Sequence, residues 1–191
     1  MERYDVVIVG TGPAGMGAAF SLLDKYKDIS ILMIDKSSVS TGGMRNDCKM
    51  NFTFPIGFPE EYWDKETADR YLEKVTEFLQ PNILPKSNIE VYQERAKKLG
   101  SSLLEIRQTH LGTDGGLRLI KELLKKLEER GVKLALKEEV ISIDNKRKLV
   151  KTNLRDIEYK AVLVAPGRQG FKFLQDVMHN LGIEYMDNIV D

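Results

Sequence analysis

The chain has 191 residues, is 42% hydrophobic, and carries 29 basic against 29 acidic side chains, for a net charge of zero. That length allows one large domain or one and a half small ones, with enough apolar content for a core. The charge balance offers nothing to nucleic acid or to an anionic surface. A single cysteine, Cys48, excludes an intrachain disulfide framework and an all-cysteine metal site and fits a reducing cytoplasm, and no apolar run is long enough to span a membrane.

Met1 is followed at once by a strand, so no signal peptide is expected. Val6, Val7, Ile8 and Val9 form a short apolar run of the kind that suits a parallel strand covered on both faces. Gly10, Gly12 and Gly15 then fit G-x-G-x-x-G. The first glycine permits a tight turn, the second lets a pyrophosphate approach the backbone, and the third lets helix and strand pack closely. Pro13 sits in the first helical turn, where a missing N–H costs nothing. The uncapped N–H groups and dipole of that helix end suit a phosphate anion. The helix is predicted over 13–26, with Ala14, Ala18, Leu22 and Leu23 facing the sheet. A second apolar run, Ile31 to Ile34, ends in Asp35. That carboxylate stands twenty positions after Gly15, the spacing of a ribose-binding acid. The plain alternative is an ordinary strand–turn–helix with an incidental acid.

Residues 37–63 lack periodicity. Gly42 and Gly43 allow backbone shapes closed to other residues, and Thr41, Arg45 and Lys49 suit phosphates; a surface loop is the other reading. Phe52, Phe54, Ile56, Phe58, Tyr62 and Trp63 are too apolar for a merely solvated loop and are expected to pack. Asp64 is predicted to cap a helix through Gln80, stopped by Pro81. A second helix is predicted over 89–99 and a strand over 102–108. These make a mainly helical insertion at about 52–100 in a domain that otherwise spans 1–191. Thr113 or Asp114 can cap the next helix, which carries Leu117, Ile120, Leu123, Leu124 and Leu127 and stops at Gly131. His110 is as readily a loop residue as a catalytic one, His179 is expected to be structural or exposed, and no metal site is supported. Strands are predicted at 132–136, 140–144, 148–151 and 157–160, the last three as a small antiparallel ribbon. The apolar strand 161–165 then returns to the parallel pattern and puts Gly167 at a carboxyl end of the sheet, where ligands of open α/β folds bind. A helix over 171–181 follows.

Gly10-Thr-Gly-Pro-Ala-Gly-Met-Gly-Ala-Ala19 followed by Ile34-Asp-Lys36 resembles the FAD-binding half of the glutathione-reductase-like flavoproteins. More narrowly, Arg107-Gln-Thr-His-Leu-Gly-Thr-Asp114, Ala165-Pro-Gly-Arg168 and the terminal Leu181-Gly-Ile-Glu184 with Val190-Asp191 resemble an uncharacterised prokaryotic FAD-dependent dehydrogenase family. The resemblance covers nearly the whole chain. It implies an α/β, Rossmann-like FAD/NAD(P)-binding three-layer fold, with a parallel sheet and a small antiparallel ribbon, holding an extended FAD. Gly10, Gly12, Pro13, Ala14 and Gly15 would face the pyrophosphate. Asp35, with Lys36 beside it, would bind the adenosine ribose, and Val140 would meet adenine through its backbone. Gly42, Gly43 and Met44 would run along the cofactor. Ala165, Pro166, Gly167 and Arg168 would form a second contact segment, with Pro166 where a threonine is more usual. Such proteins carry a cysteine- and glycine-rich loop after the second strand; here 44–54 stands in its place with only Cys48. They also exceed twice this length. An N-terminal portion lacking the substrate domain is therefore expected, with apolar surface left for self-association or a partner chain.

Three readings follow: a cytoplasmic FAD-dependent oxidoreductase or its FAD-binding portion acting on a small molecule, an NAD(P)-binding dehydrogenase domain, or a nucleotide-fold interaction subunit without chemistry. The helix beginning G-P-A-G-x-x-A-A and the antiparallel ribbon favour flavin. Nothing names the substrate or a catalytic acid or base beyond His110 as a candidate.

Overall fold

A computed structural model describes residues 1–39, 48–56 and 60–186. Its first elements are β1 (Glu2–Val9), α1 (Pro13–Lys25), β2 (Ile31–Asp35), β3 (Lys49–Asn51), α2 (Lys65–Leu79), α3 (Ile89–Lys98) and β4 (Gln108–His110). Then come α4 (Gly112–Glu129), β5 (Lys133–Leu136), β6 (Val140–Asp144), β7 (Leu149–Thr152), β8 (Asp156–Val164) and α5 (Phe171–Leu181). The chain divides into two compact units, Met1–Arg45 with Gly116–Asp191, and Asn46–Gly115. Gly42, Gly43 and Met44, with Thr41 and Arg45, lie outside the described residues.

The first unit is an α/β nucleotide-binding type of fold. Its sheet runs β5-β2-β1-β8-β7-β6. β5, β2, β1 and β8 are parallel, whereas β8, β7 and β6 are antiparallel neighbours. Successive residues of a strand point to opposite faces. Val7, Ile8 and Val9 are nonetheless all buried, as are Ile31 to Ile34 of β2, so both interior strands are covered on both sides. One core cluster joins Val7, Val9, Leu32, Ile34 and Ala135 to Val150 and Tyr159 of the antiparallel strands, with Phe173 of α5 packed against it. α4 buries Ile120, Leu123, Leu124 and Leu127, and its far end lies beside α1, where Arg130 pairs with Asp24 at 2.7 Å and stacks over Phe20.

Several local expectations change. The predicted strands 157–160 and 161–165 are one continuous β8, which ends at Val164. Its start pairs with β7 through Asp156, Ile157 and Glu158, while nearly its whole length pairs with β1, from Glu2↔Ile157 to Val9↔Val164. The shift from mixed to wholly apolar residues marks a change of neighbours, not a break in the strand. α1 buries Gly15, Met16, Ala19 and Phe20, one position on from the predicted Ala14 and Ala18; Ala14 is exposed, and Leu22 and Leu23 are half-buried. The contact at Gly15 sets that rotation, because it is where the helix touches the turn. α4 begins at Gly112, so Thr113 and Asp114 fall inside its first turn rather than ahead of it.

In the second unit, 102–107 forms no strand. The ladder is β4 with β3, pairing Lys49↔His110 to Asn51↔Gln108. It is extended by Phe52 N–H to Arg107 C=O, Leu111 N–H to Cys48 C=O, and Leu84 N–H to Gln108 C=O, each at 2.8 Å. Three-residue strands carry too little alternation to be read beforehand. Asp64 caps α2, its carboxylate accepting Thr67 N–H at 2.8 Å, and Gln80 ends the helix with φ of 46° just before Pro81. The aromatic segment divides. Phe52 is buried and Trp63 meets Tyr71 edge-on at 5.7 Å, but Tyr62 is 85% exposed. Only Ala68 and Leu72 of α2 are buried, and Tyr71, Val75 and Phe78 are exposed.

A buried carboxylate braces the antiparallel part of the first unit. Glu138 is 4% exposed and accepts from Thr152 Oγ1 at 2.8 Å and from Arg155 Nε and Nη2 at 3.0 Å each. Arg155 also reaches Glu2, and its guanidinium is pushed above the ordinary range chiefly by its hydrogen bonds to Glu138. Removing one member of a buried pair costs about 3–5 kcal/mol, and less where one partner is part-exposed, as Arg155 is. Arg155→Met is expected to lower unfolding stability by about 2 kcal/mol in a urea titration; an unchanged midpoint would show that Glu138 needs no counter-charge.

Candidate dinucleotide site

β2, β1 and β8 are adjacent and parallel, so their carboxyl ends lie side by side. Gly10 N–H donates to Ile34 C=O and Ala165 N–H to Val9 C=O, both at 2.8 Å, which carries the pairing to the last residues of each strand. The glycine turn, Asp35 and the segment from Ala165 therefore share one edge of the sheet.

The glycines of the turn have separable roles. Gly10 has a φ of +103°, and a Cβ on it would stand 2.1 Å from the carbonyl oxygen of Ala165. A Cβ on Gly15 would stand 2.1 Å from the carbonyl oxygen of Gly10. Both are needed to bring backbone against backbone. Gly12 is the N-cap of α1 and supplies no side-chain cap, and Pro13 opens the helix. The N–H groups of Ala14 and Gly15 have no intrahelical partner, the general condition of a first helical turn. Pro13 and Ala14 are exposed there. These open donors, together with the positive end of the dipole, fit an anion such as a pyrophosphate.

Asp35 ends β2 beside this turn. Its Oδ2 accepts Thr11 N–H at 2.9 Å and Thr11 Oγ1–H at 3.0 Å, and its Oδ1 accepts Ser37 N–H at 2.8 Å. The bond to Ser37 is the local turn that an aspartate makes with the backbone two residues on. Thr11 is fully buried. Sequence reasoning passed over it because it fills a variable slot of the glycine motif; the one available signal was a hydroxyl where any small residue fits.

The remaining predicted residues divide. Lys36 is exposed. Lys137 N–H donates to Ser37 C=O at 3.2 Å and Glu138 N–H to Asp35 C=O at 3.1 Å, which brings the chain leading into Val140 alongside Asp35. Val140, in the edge strand β6, buries its side chain and pairs with Thr152 of β7. Ala165 and Pro166 are half-buried beside Gly10, and a Cβ on Gly170 would stand 2.3 Å from the Pro166 ring. Gly167, with φ of +66°, and Arg168 are exposed. His110 belongs to the second unit, where it pairs with Lys49, and His179 is exposed on α5. Among the described residues no cluster of histidine, cysteine and carboxylate groups can hold a metal ion, and no helix is long and apolar enough to cross a membrane.

The sequence matches the family described as pyridine nucleotide-disulphide oxidoreductase over residues 4–188. An uncharacterized protein of Methanosarcina barkeri, Mbar_A1602, is 38% identical over 80 residues, covering 39% of this chain and 20% of that protein. Among solved structures, L-proline dehydrogenase from P. horikoshii aligns with a TM-score of 0.60 at 18% identity, over 98% of this chain and 58% of that one. NikD, an amino acid oxidase of nikkomycin biosynthesis, aligns at 0.55 and 17% identity over 95% and 55%. L-Amino acid deaminase from Proteus myxofaciens aligns at 0.55 and 16% identity over 97% and 49%. At these identities the likeness is one of fold. The chain spans about half the length of each of these three structures and a fifth of the Methanosarcina protein.

The separate roles of the glycines are testable. Gly10→Ala places a side chain at a positive φ and against a carbonyl, and is expected to cost at least about 3 kcal/mol. Gly17, exposed within α1 with nothing near its Cβ position, should accept alanine with a gain of about 0.5–1 kcal/mol. Thermal unfolding of both variants decides: equal melting temperatures would mean that Gly10 is not constrained by Ala165.

Proposed function

The chain belongs to the pyridine nucleotide-disulphide oxidoreductase family, and on that premise we propose that it is an FAD-dependent oxidoreductase, or the FAD-binding portion of one, acting on a small-molecule substrate. The observation that carries this reading is the pairing of an uncapped helix N-terminus with an aspartate at adjoining strand ends. One supplies donors for a phosphate anion and the other an acceptor for a ribose hydroxyl, which are the two recognition elements of a dinucleotide.

In this reading the N–H groups of Ala14 and Gly15 donate to the pyrophosphate, with Gly12 and Pro13 keeping the approach free of side chains. Asp35 accepts from the adenosine ribose. The backbone of Val140 meets adenine, and its buried side chain anchors that segment in the core. Ala165 to Arg168 border the next portion of the cofactor, with Gly42, Gly43, Met44 and Lys36 as further contacts. Gly10 and Gly15 hold the turn closed so that these groups keep their places. The bound flavin supplies the hydride chemistry, while the chain binds and orients it.

Calorimetric titration of FAD and ADP tests the assignment. Both should bind, and purified protein carrying oxidised flavin should be yellow. Asp35→Asn keeps the shape of the side chain while removing its charge, and should weaken both ligands by roughly tenfold, about 1.4 kcal/mol. Unchanged affinities would remove Asp35 from the site, and no binding of either ligand to the native protein would remove the cofactor assignment.

A further inference from the structure

We propose that Thr11 is a positioning residue that sets how Asp35 meets a ribose diol, an inference that rests on the nucleotide reading above. A carboxylate has about four acceptor positions, two on each oxygen. Both positions on Oδ2 are taken by Thr11, through its N–H at 2.9 Å and its hydroxyl at 3.0 Å. One position on Oδ1 is taken by Ser37 N–H at 2.8 Å. Among the described residues, what remains for a ligand is a single acceptor on Oδ1.

The Thr11 hydroxyl is the decisive donor because the last torsion of an aspartate is broad and nearly two-fold. The two backbone N–H groups bond opposite oxygens, Thr11 to Oδ2 and Ser37 to Oδ1, and set the carboxylate plane without filling Oδ2. The hydroxyl, a second donor on Oδ2, fills that oxygen and holds the plane against rocking, so that a ligand meets Oδ1. Thr11 is fully buried, so its hydroxyl is shielded from competing water, whereas Asp35 is part-exposed and open to a ligand. The geometry thus divides the work: a buried hydroxyl that never touches the ligand orients an acceptor that does.

The test compares ADP with 2′,3′-dideoxy-ADP, the same nucleotide without the two hydroxyls. The full chain should prefer ADP by roughly tenfold, the worth of one charge-assisted hydrogen bond. Thr11→Val, of the same shape without the hydroxyl, should shrink that preference to under about threefold. Thr11→Ser should restore it. A purely structural role for Thr11 would weaken both nucleotides alike and leave their ratio at the native value. Thr11→Val retaining or increasing the native ratio overturns the proposal, as does a native protein that binds ADP without preferring it. If Thr11→Val fails to fold, Thr11→Ala with Thr11→Ser decides on the same ratio. A native protein that binds neither nucleotide ends the cofactor reading itself, and is distinguished by the absence of any binding heat.

Discussion

No side chain fits between the end of β1 and the end of β8. The space a Cβ would take at Gly10 is already occupied by the carbonyl of Ala165, and the space at Gly15 by the carbonyl of Gly10. Three backbone segments therefore stack in direct contact: the last residues of β8, the glycine turn, and the first turn of α1. That stack fixes where α1 starts and which of its faces meets the sheet, with Met16, Ala19 and Phe20 following Gly15 into the core. Position and direction of the open N–H groups are set by the same contact, so the recognition chemistry depends on a steric constraint rather than on any polar side chain.

Charge is used locally in a chain that has none overall. The helix end presents a partial positive charge, and Asp35, a strand away, presents a negative one. Left unrestrained, the aspartate would be drawn to the open donors of the turn. Thr11 and Ser37 hold it instead, each giving it a backbone N–H, and Thr11 adds a hydroxyl. The turn's own second residue thus binds the acid, while Ala14 and Gly15 supply the N–H groups of the first helical turn that have no intrahelical partner.

β8 joins two kinds of sheet in one strand. Along β1 it behaves as an interior parallel strand, and along β7 as part of an antiparallel meander. The meander returns the chain from β5 to the centre of the sheet, and Glu138 braces that path through Thr152 and Arg155. Because Glu138 N–H also bonds the backbone of Asp35, the brace reaches the edge of the site. The second unit is built differently, from a three-residue ladder and helices that leave Tyr71, Phe78, Val91 and Tyr92 at the surface.

The sequence by itself determined the first strand, the glycine turn, the helix after it, and the acid at the end of the second apolar run. Each of these is a local pattern: continuous apolar residues, glycines at fixed offsets, an aspartate at a set distance. It also determined the cap at Asp64 and the buried stripe of α4, for the same reason. Tertiary structure alone decided that 156–164 is one strand, since its two halves differ only in their neighbours across the sheet. It decided the pairing of 49–51 with 108–110, because three residues show no period and their partners lie far apart in the chain. It rotated α1 by one position, because a contact at Gly15 outranks the average of an apolar stripe. And it joined Thr11 to Asp35, two residues separated by a whole helix, because a hydrogen bond across adjacent strand ends leaves no periodic trace in the sequence.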